Sequence, residues 1–514
     1  MAGIFAVFKR KQIKESIKEK LKECAYKIKH RGPIKTVNFE RFPIYLVFHQ
    51  KIRNVYENHP FNLYLDEAKG RFIAIDGHIY NIDDIAHDYY ESSEISENGH
   101  HDLKVILDAY KKIESEIFKK TIGTFSGVMY DGKELIGFKD NVGAKPLYYC
   151  NTNDFFVLSS ELKALTPLGS YIRPIAPGHV ITSKIMLKKF YKYPRFITNY
   201  NLSRRMVKKI ALKLNSLVKI AVLDNIKPDE HINVLLSGGI DSTIITHNAK
   251  EVIDNLHAYT VGVKGSRDVE YAKKFAKLND LEHTILNISL NDMLRILPEV
   301  IYALETYDAA LIRSSIPMFM ISQKIKIEKN PEVILTGEGG DELFGGYEYL
   351  QNYQSHISFN DELKNLLQIE HKTGLQRVDR IPYHFSIEAR APLFDSRLVA
   401  YSFKIPPELK IFRKENYGIV EKWILRKAFE NEIPAEFIWR KKQKFSDGAG
   451  SQFLIRNYLE DKISDEEFEA EKKISPNIIL RSKEELYYWR IFESKFNPHE
   501  DTLSELGTTK IYEI

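Results

Sequence analysis

The sequence predicts a two-domain α/β protein, and three observations carry that prediction. A chain of 514 residues exceeds what one hydrophobic core ordinarily serves. Its texture also changes partway: short apolar runs punctuated by Gly, Asp and Asn extend to about Ile181, and from Ser203 strands alternate with helices. Finally, Asn233-Val234-Leu235-Leu236 runs straight into Ser237-Gly238-Gly239-Ile240-Asp241-Ser242-Thr243, after which Ile244-Ile245 open a helical pattern. The boundary falls near Tyr193 to Ser203, giving domains over 2–195 and 203–514.

Composition narrows the class. Hydrophobic residues at 43% and charged residues at 28% read as a globular chain with sizeable cores. A net charge of +5, from Lys and Arg scattered among nearly as many acids, does not predict a nucleic-acid partner. Cys24 and Cys150 are too few for a disulfide framework and lack metal-ligand spacing, so both read as packed thiols in a reducing compartment. The apolar start, Ile4 to Phe8, meets Lys9-Arg10-Lys11 too early for a signal peptide, and no run of about 18 apolar residues occurs. The expectation is a cytoplasmic protein without a membrane partner.

In the first half, strands are expected at Ile4 to Phe8, Ile44 to Phe48, Arg71 to Asp76, Gly127 to Tyr130, Leu135 to Phe138, Pro146 to Tyr149 and Phe155 to Ser159. Helical patterns occupy Lys14 to His30 and Asp102 to Tyr110. Ser203 then precedes an amphipathic run with Ile210, Leu214, Leu217 and Ala221 on one stripe. Beyond the Gly-rich loop come a strand around Ala258 to Val263, a helix from Asp268 to Leu278, a helix around Ile316 to Ile327 and a strand from Glu332 to Leu335. Helices dominate after Asp395. Such alternation implies a parallel sheet covered on both faces, which binds ligands beyond the carboxyl ends of its strands, near Ser237, Val263 and Thr336. The charged stretch Asp465 to Lys473 reads as a solvated surface and not as an interaction tail.

The loop suggests chemistry. Glycines let the backbone approach an oxyanion, amides and hydroxyls at the helix start donate to it, and the positive helix end favours its charge. Asp241 is placed to hold a magnesium ion on phosphate oxygens. A lone Gly-Gly is more often an ordinary turn; Ser-Gly-Gly-x-Asp-Ser after a buried strand is more specific and resembles the pyrophosphate loop of the ATP pyrophosphatase superfamily. The lysine of a Gly-x-x-x-x-Gly-Lys loop is missing, so γ-phosphoryl transfer is not expected.

Further strings converge. Glu305-Thr306-Tyr307-Asp308 and Ile312-Arg313-Ser314-Ser315 precede Thr336-Gly337-Glu338-Gly339-Gly340-Asp341-Glu342-Leu343-Phe344. Ser386-Ile387-Glu388-Ala389-Arg390, Trp439-Arg440-Lys441-Lys442-Gln443-Lys444 and Ser482-Lys483-Glu484-Glu485 follow. Together with the loop, these resemble glutamine-dependent asparagine synthetase of the bacterial type over essentially the whole chain. The resemblance implies an αββα sandwich of the N-terminal nucleophile type, then an ATP pyrophosphatase domain with a helical C-terminal part. It implies ATP and Mg2+, small-molecule partners (aspartate, ATP, ammonia or glutamine) and compatibility with a homodimer.

The implied chemistry explains the residue types. A carboxylate attacking the α-phosphorus of ATP is an anion approaching an anion, so cations must absorb charge. By resemblance Lys442 and Arg313 supply it, Asp241 and Asp341 hold magnesium, and Glu338 takes a proton from the nitrogen nucleophile. Leu235, Ser237, Gly238, Gly239, Ser242, Val261, Thr336 and Gly337 would surround the nucleotide. Taken singly, Lys442 in its basic run reads as a solvated face, and Asp341-Glu342 as helix-capping acids. Ala310-Leu311 stand where the family carries threonines, which leaves another carboxylate substrate open as an alternative. A non-catalytic nucleotide or glutamine sensor is a further alternative, against which Glu338 and Lys442 weigh.

The first domain departs more. The family's glutaminase cysteine, exposed once Met1 is removed, is Ala2 here, and an alanine methyl forms no thioester. The family's Arg-Leu-Ser is Lys51-Ile52-Arg53, and its Asn-Gly-Glu-Ile-Tyr-Asn is Asp76-Gly77-His78-Ile79-Tyr80-Asn81. Asp76 puts a carboxylate where an amide should donate to the oxyanion. Arg31-Gly32-Pro33 and Asp102, the match for the residue that holds glutamine's amino group, persist. The expectation is a retained scaffold with a dead glutaminase, supplied with nitrogen by ammonia.

Overall fold

The computed structural model describes residues 2–51, 62–89, 102–197, 202–227, 230–263, 265–328, 333–353, 355–414, 418–440 and 451–506. They divide into two compact units, one of residues 2–192 with Glu493–Leu506, the other Tyr193–Phe492.

Two six-stranded antiparallel sheets build the first unit. Its strands are β1 (Ala2–Lys9), β2 (Lys35–Arg41), β3 (Ile44–Gln50), β4 (Leu63–Asp66), β5 (Arg71–Ile79), β6 (Gly123–Tyr130), β7 (Leu135–Lys139), β8 (Tyr148–Asn151), β9 (Phe155–Ser159), β10 (Ile172–Pro174), β11 (His179–Thr182) and β12 (Leu187–Lys189). One sheet runs β10-β8-β9-β1-β3-β2, the other β12-β11-β7-β6-β5-β4. Alternation along each strand sends one set of side chains between the sheets: Ala2, Ile4 and Ala6 of β1 meet Leu46, Phe48, Phe72, Ala74, Val128 and Leu158 there. The opposite set on the second sheet, including Ile73, Ile75, Phe125, Met129 and Phe138, packs with Ile106 of helix Asp102–Ile113 and with Phe118. On helix Glu15–Tyr26 the buried residues are Leu21, Cys24 and Ala25. Cys24 and Cys150 are both free, and burial raises their thiols to about 11 and about 12.

The apolar runs lie in strands as expected, except that the run beginning at Pro146 enters its strand only at Tyr148. The missed strands are short or half-exposed: β12 is exposed throughout and β2 is half-buried with exposed residues toward its end, and such pieces leave no apolar run to read.

A five-stranded parallel sheet centres the second unit: β13 (Ile232–Leu235), β14 (His257–Gly262), β15 (Glu282–Asn287), β16 (Val333–Leu335) and β17 (Glu388–Arg390), in the order β15-β14-β13-β16-β17. Val234, Ala258, Ile334 and Leu335 are fully buried, as strands covered on both faces require. The chain steps from β13 to β14 on one side and reaches β16 on the other, so a topological switch point lies between β13 and β16. Helix Ala309–Glu328 begins earlier than Ile316 because the Asp308 carboxylate accepts from Leu311 N–H at 2.8 Å and caps it; Pro317 is accommodated inside. Among the described residues no helix is long and apolar enough to cross a membrane.

Candidate functional site

The loop after β13 is tied down by its own hydroxyls. Ser237 and Ser242 Oγ atoms lie 2.9 Å apart, the Ser237 N–H donates to Ser242 Oγ at 3.1 Å, and the Gly239 N–H donates to Ser237 Oγ at 3.2 Å. Gly238 has φ of 75°, and a Cβ there would collide with the Asp268 carbonyl oxygen. Helix Ile240–Lys250 then starts with its N-terminal amides beside the loop. Arg440 holds the outer side: its Nη1 donates to Gly238 O at 2.6 Å, its Nη2 pairs with Asp268, and its guanidinium lies 4.3 Å from the Tyr271 ring centroid. The solvated-face reading of the basic run therefore fails at Arg440, whose side chain is 7% exposed.

Across the switch point, Thr336-Gly337 leave β16 pressed against this loop. A Cβ on Gly337 would meet the Ser242 backbone nitrogen at 2.5 Å, and one on Gly340 would overlap the Asp241 carboxylate. Asp241 and Asp341 thus converge, and the ammonium of Lys422 lies between them, paired with Asp241 Oδ2 and, at 2.8 Å, with Asp341 Oδ1. Two carboxylates from separate strand ends sharing one buried cation form a donor set that fits a hard divalent ion.

Glu338 stands next to this pair in the chain. Its Oε1 accepts from Arg377 Nη2 at 2.7 Å, and Arg377 Nη1 donates to Ser314 Oγ at 2.7 Å. Burial works against the charge of Arg377, but Glu338 and Glu370 hold its pKa above the ordinary value. Burial, then the neighbouring charges of Glu342 and Glu338, drives Glu370 well above the usual carboxylate range, and Thr373 Oγ1 donates to it at 3.0 Å. Glu342, which accepts from Tyr347 Oη, is pushed up to about 7 by burial and by Asp341. Glu338 is the carboxylate paired directly with Arg377.

The structure gathers Ser237, Gly238, Gly239, Asp241, Ser242, Gly337 and Asp341 at one place. Leu235, Val261 and Thr336 lie at or just beyond strand ends, with Val261 and Thr336 buried. Thr336 gives both donors to the sheet, its N–H and hydroxyl reaching Arg390 O at 2.9 and 3.4 Å. Arg313 is paired with the buried Glu484, which also accepts from Tyr488 Oη at 2.9 Å. Lys442 lies outside the described residues. Sequence reasoning missed Lys422, Arg377 and the structural use of Arg440, since their partners are 39 or more positions away and no local spacing announces them.

In the first unit, Ala2 is fully buried and its N–H donates to Asp76 Oδ1 at 2.9 Å. The other oxygen of Asp76 accepts from Arg31 Nη2 at 2.6 Å, and Arg31 Nη1 reaches Glu161 Oε1 at 2.8 Å. Burial opposes the charge of Glu161, yet His30, Lys163 and Arg31 keep it well below the usual carboxylate range. Gly77, at φ of 102° within β5, sits where a Cβ would overlap the Thr124 carbonyl. Lys51 follows β3 and is half-buried; the side chain of Asp102 lies outside the described residues.

The family models described as asparagine synthase and as glutamine amidotransferase domain match this chain over residues 213–373 with 358–506, and over residues 1–202. It is 29% identical to "Asparagine synthetase [glutamine-hydrolyzing]" of Zea mays over 96% of this chain and 86% of that protein. Identity is 30% with "Asparagine synthetase [glutamine-hydrolyzing] 2" of Oryza sativa subsp. japonica (99% and 88%) and 29% with "Asparagine synthetase [glutamine-hydrolyzing] 1" of Arabidopsis thaliana (99% and 88%). With both domains matched along nearly its full length, the chain belongs to the asparagine synthase family of ATP-dependent ligases.

Proposed function

We propose that this protein converts aspartate to asparagine with free ammonia as its nitrogen donor, forming AMP and pyrophosphate. The observation that carries the nitrogen assignment is Ala2: it offers no nucleophile, and its N–H is bound to an Asp76 carboxylate that also pairs with Arg31. In the second unit the Ser237–Ser242 loop binds phosphates through amides and hydroxyls. Asp241 and Asp341 would hold Mg2+, which would supply positive charge at the phosphates; the side-chain carboxylate of aspartate attacks the α-phosphorus and pyrophosphate leaves. Glu338, oriented by Arg377, accepts a proton from ammonia as it attacks the acyl-adenylate.

Only neutral ammonia has a lone pair, and near neutral pH each added unit raises it about tenfold at fixed total ammonium. At subsaturating ammonium, asparagine and AMP formation therefore rise with pH between about 6.5 and 8.5, and glutamine at matched concentration gives neither. Efficient glutamine-driven synthesis would overturn the assignment. A flat ammonium profile would place the slow step before nitrogen attack. Leu311, fully enclosed at 2% exposure where the family carries a threonine, favours a second reading in which another carboxylate is adenylated; a panel of acids in the same assay separates the two.

A further inference from the structure

Lys422 is placed with unusual determination for a residue that neither motif contains. It follows β18 (Ile411–Lys414) and β19 (Gly418–Glu421), an antiparallel pair, and caps helix Trp423–Phe429. Its backbone has φ of 52° and ψ of 31°, a left-handed conformation that non-glycine residues adopt only when their surroundings dictate it. One turn later Arg426 pins the segment, donating to Glu421 O at 2.9 Å, Ile438 O at 2.6 Å and Arg440 O at 3.0 Å. Gly346 has no room for a Cβ because Lys422 Cε and the Asp341 carboxylate fill the place. The side chain is 1% exposed. Burial disfavours its charge, but Asp241 and Asp341 reverse this and hold its pKa well above the ordinary lysine value.

We propose that Lys422 is a resident cation that keeps Asp241 and Asp341 assembled before nucleotide arrives and yields them to the divalent ion that enters with it. This rests on the metal-site reading above. The two carboxylates leave different strands of the sheet, and without a cation between them they would repel and part. One ammonium suffices to hold them. A divalent ion brings twice the charge and coordinates oxygen directly, but alone it must evict a buried, doubly bonded ammonium; phosphates arriving with it supply the remaining oxygen ligands and tip the exchange. Lys422 is thus a positioning residue, and its signature is weak binding of free metal.

Mn2+ titration without nucleotide, followed by electron paramagnetic resonance and calorimetry, tests this. Lys422→Met, confirmed folded by circular dichroism, should bind Mn2+ roughly tenfold or more tightly than wild type, and Mn2+ alone should raise its unfolding midpoint. Unchanged Mn2+ affinity in the folded variant overturns the proposal. Wild-type protein gives an independent reading: Mn2+ alone should barely move its midpoint, whereas Mn2+ with a non-hydrolysable ATP analogue should raise it. A wild type stabilised as much by Mn2+ alone overturns the proposal whether or not the variant folds. Asp241→Asn tests the underlying site separately: if it binds Mn2+ with the analogue as wild type does, the metal-site reading itself is wrong.

Discussion

Arg377 divides one guanidinium between Glu338 Oε1 and Ser314 Oγ, and a lysine could not reach both. Arg377→Lys keeps the charge and loses the fork. Removing a hydrogen bond to a charged group costs about 1.5–3 kcal/mol, so amide formation should slow by roughly 10- to 100-fold. Adenylation, read by pyrophosphate exchange, should change less. Glu338→Gln should show the same asymmetry more strongly; an unchanged rate of amide formation would remove Glu338 from the second step. Glu338 was legible because it lies in a contiguous string with Asp341. Arg377 was not: it sits in helix Gly374–His384, where a charged residue at that spacing looks like any solvated position, and only the fold brings it to Glu338.

Strand β1 carries Ala2, the residue on which the proposed ammonia dependence rests. Its first residue remains at the centre of the sandwich, but the neighbouring carboxylate is fully engaged by Ala2 and Arg31. Ala2→Cys should therefore restore no glutamine turnover, measured as glutamate release; appreciable turnover would make Ala2 the whole lesion. Asp76→Asn removes the anion opposite a buried guanidinium that retains Glu161, and should lower stability by about 1–3 kcal/mol in urea unfolding. At this scale the sequence showed the central strands, whose apolar runs are continuous. Edge strands such as β15, half-exposed along its middle, were invisible because pairing on one side, and not hydrophobicity, makes them strands.

For the whole molecule, two units and a central parallel sheet were readable from the change in texture near Ser203. The route of the chain end was not. Residues Glu493–Leu506 belong to the first unit, where Thr502 Oγ1 accepts from Ile172 N–H at 3.0 Å and Tyr171 Oη donates to Glu505 at 2.6 Å. No local pattern announces a partner some 330 positions away. Burial of Phe496 and Leu503 is worth about 1.5–3 kcal/mol each. A chain ending at Phe492 should thus lose stability in its first unit, seen as faster hydrogen exchange at Ile172; unchanged protection there would show that the segment adds nothing.

That closing segment bears on how such a gene can change. A cut at the apparent boundary near Tyr193 would not give two self-sufficient products: the first would lack its last piece, and the second would carry an orphan tail with Phe496, Thr502 and Leu503 stripped of cover. The first unit can change one residue at a time, but residues 2–192 cannot be removed in one deletion without unseating Glu493–Leu506.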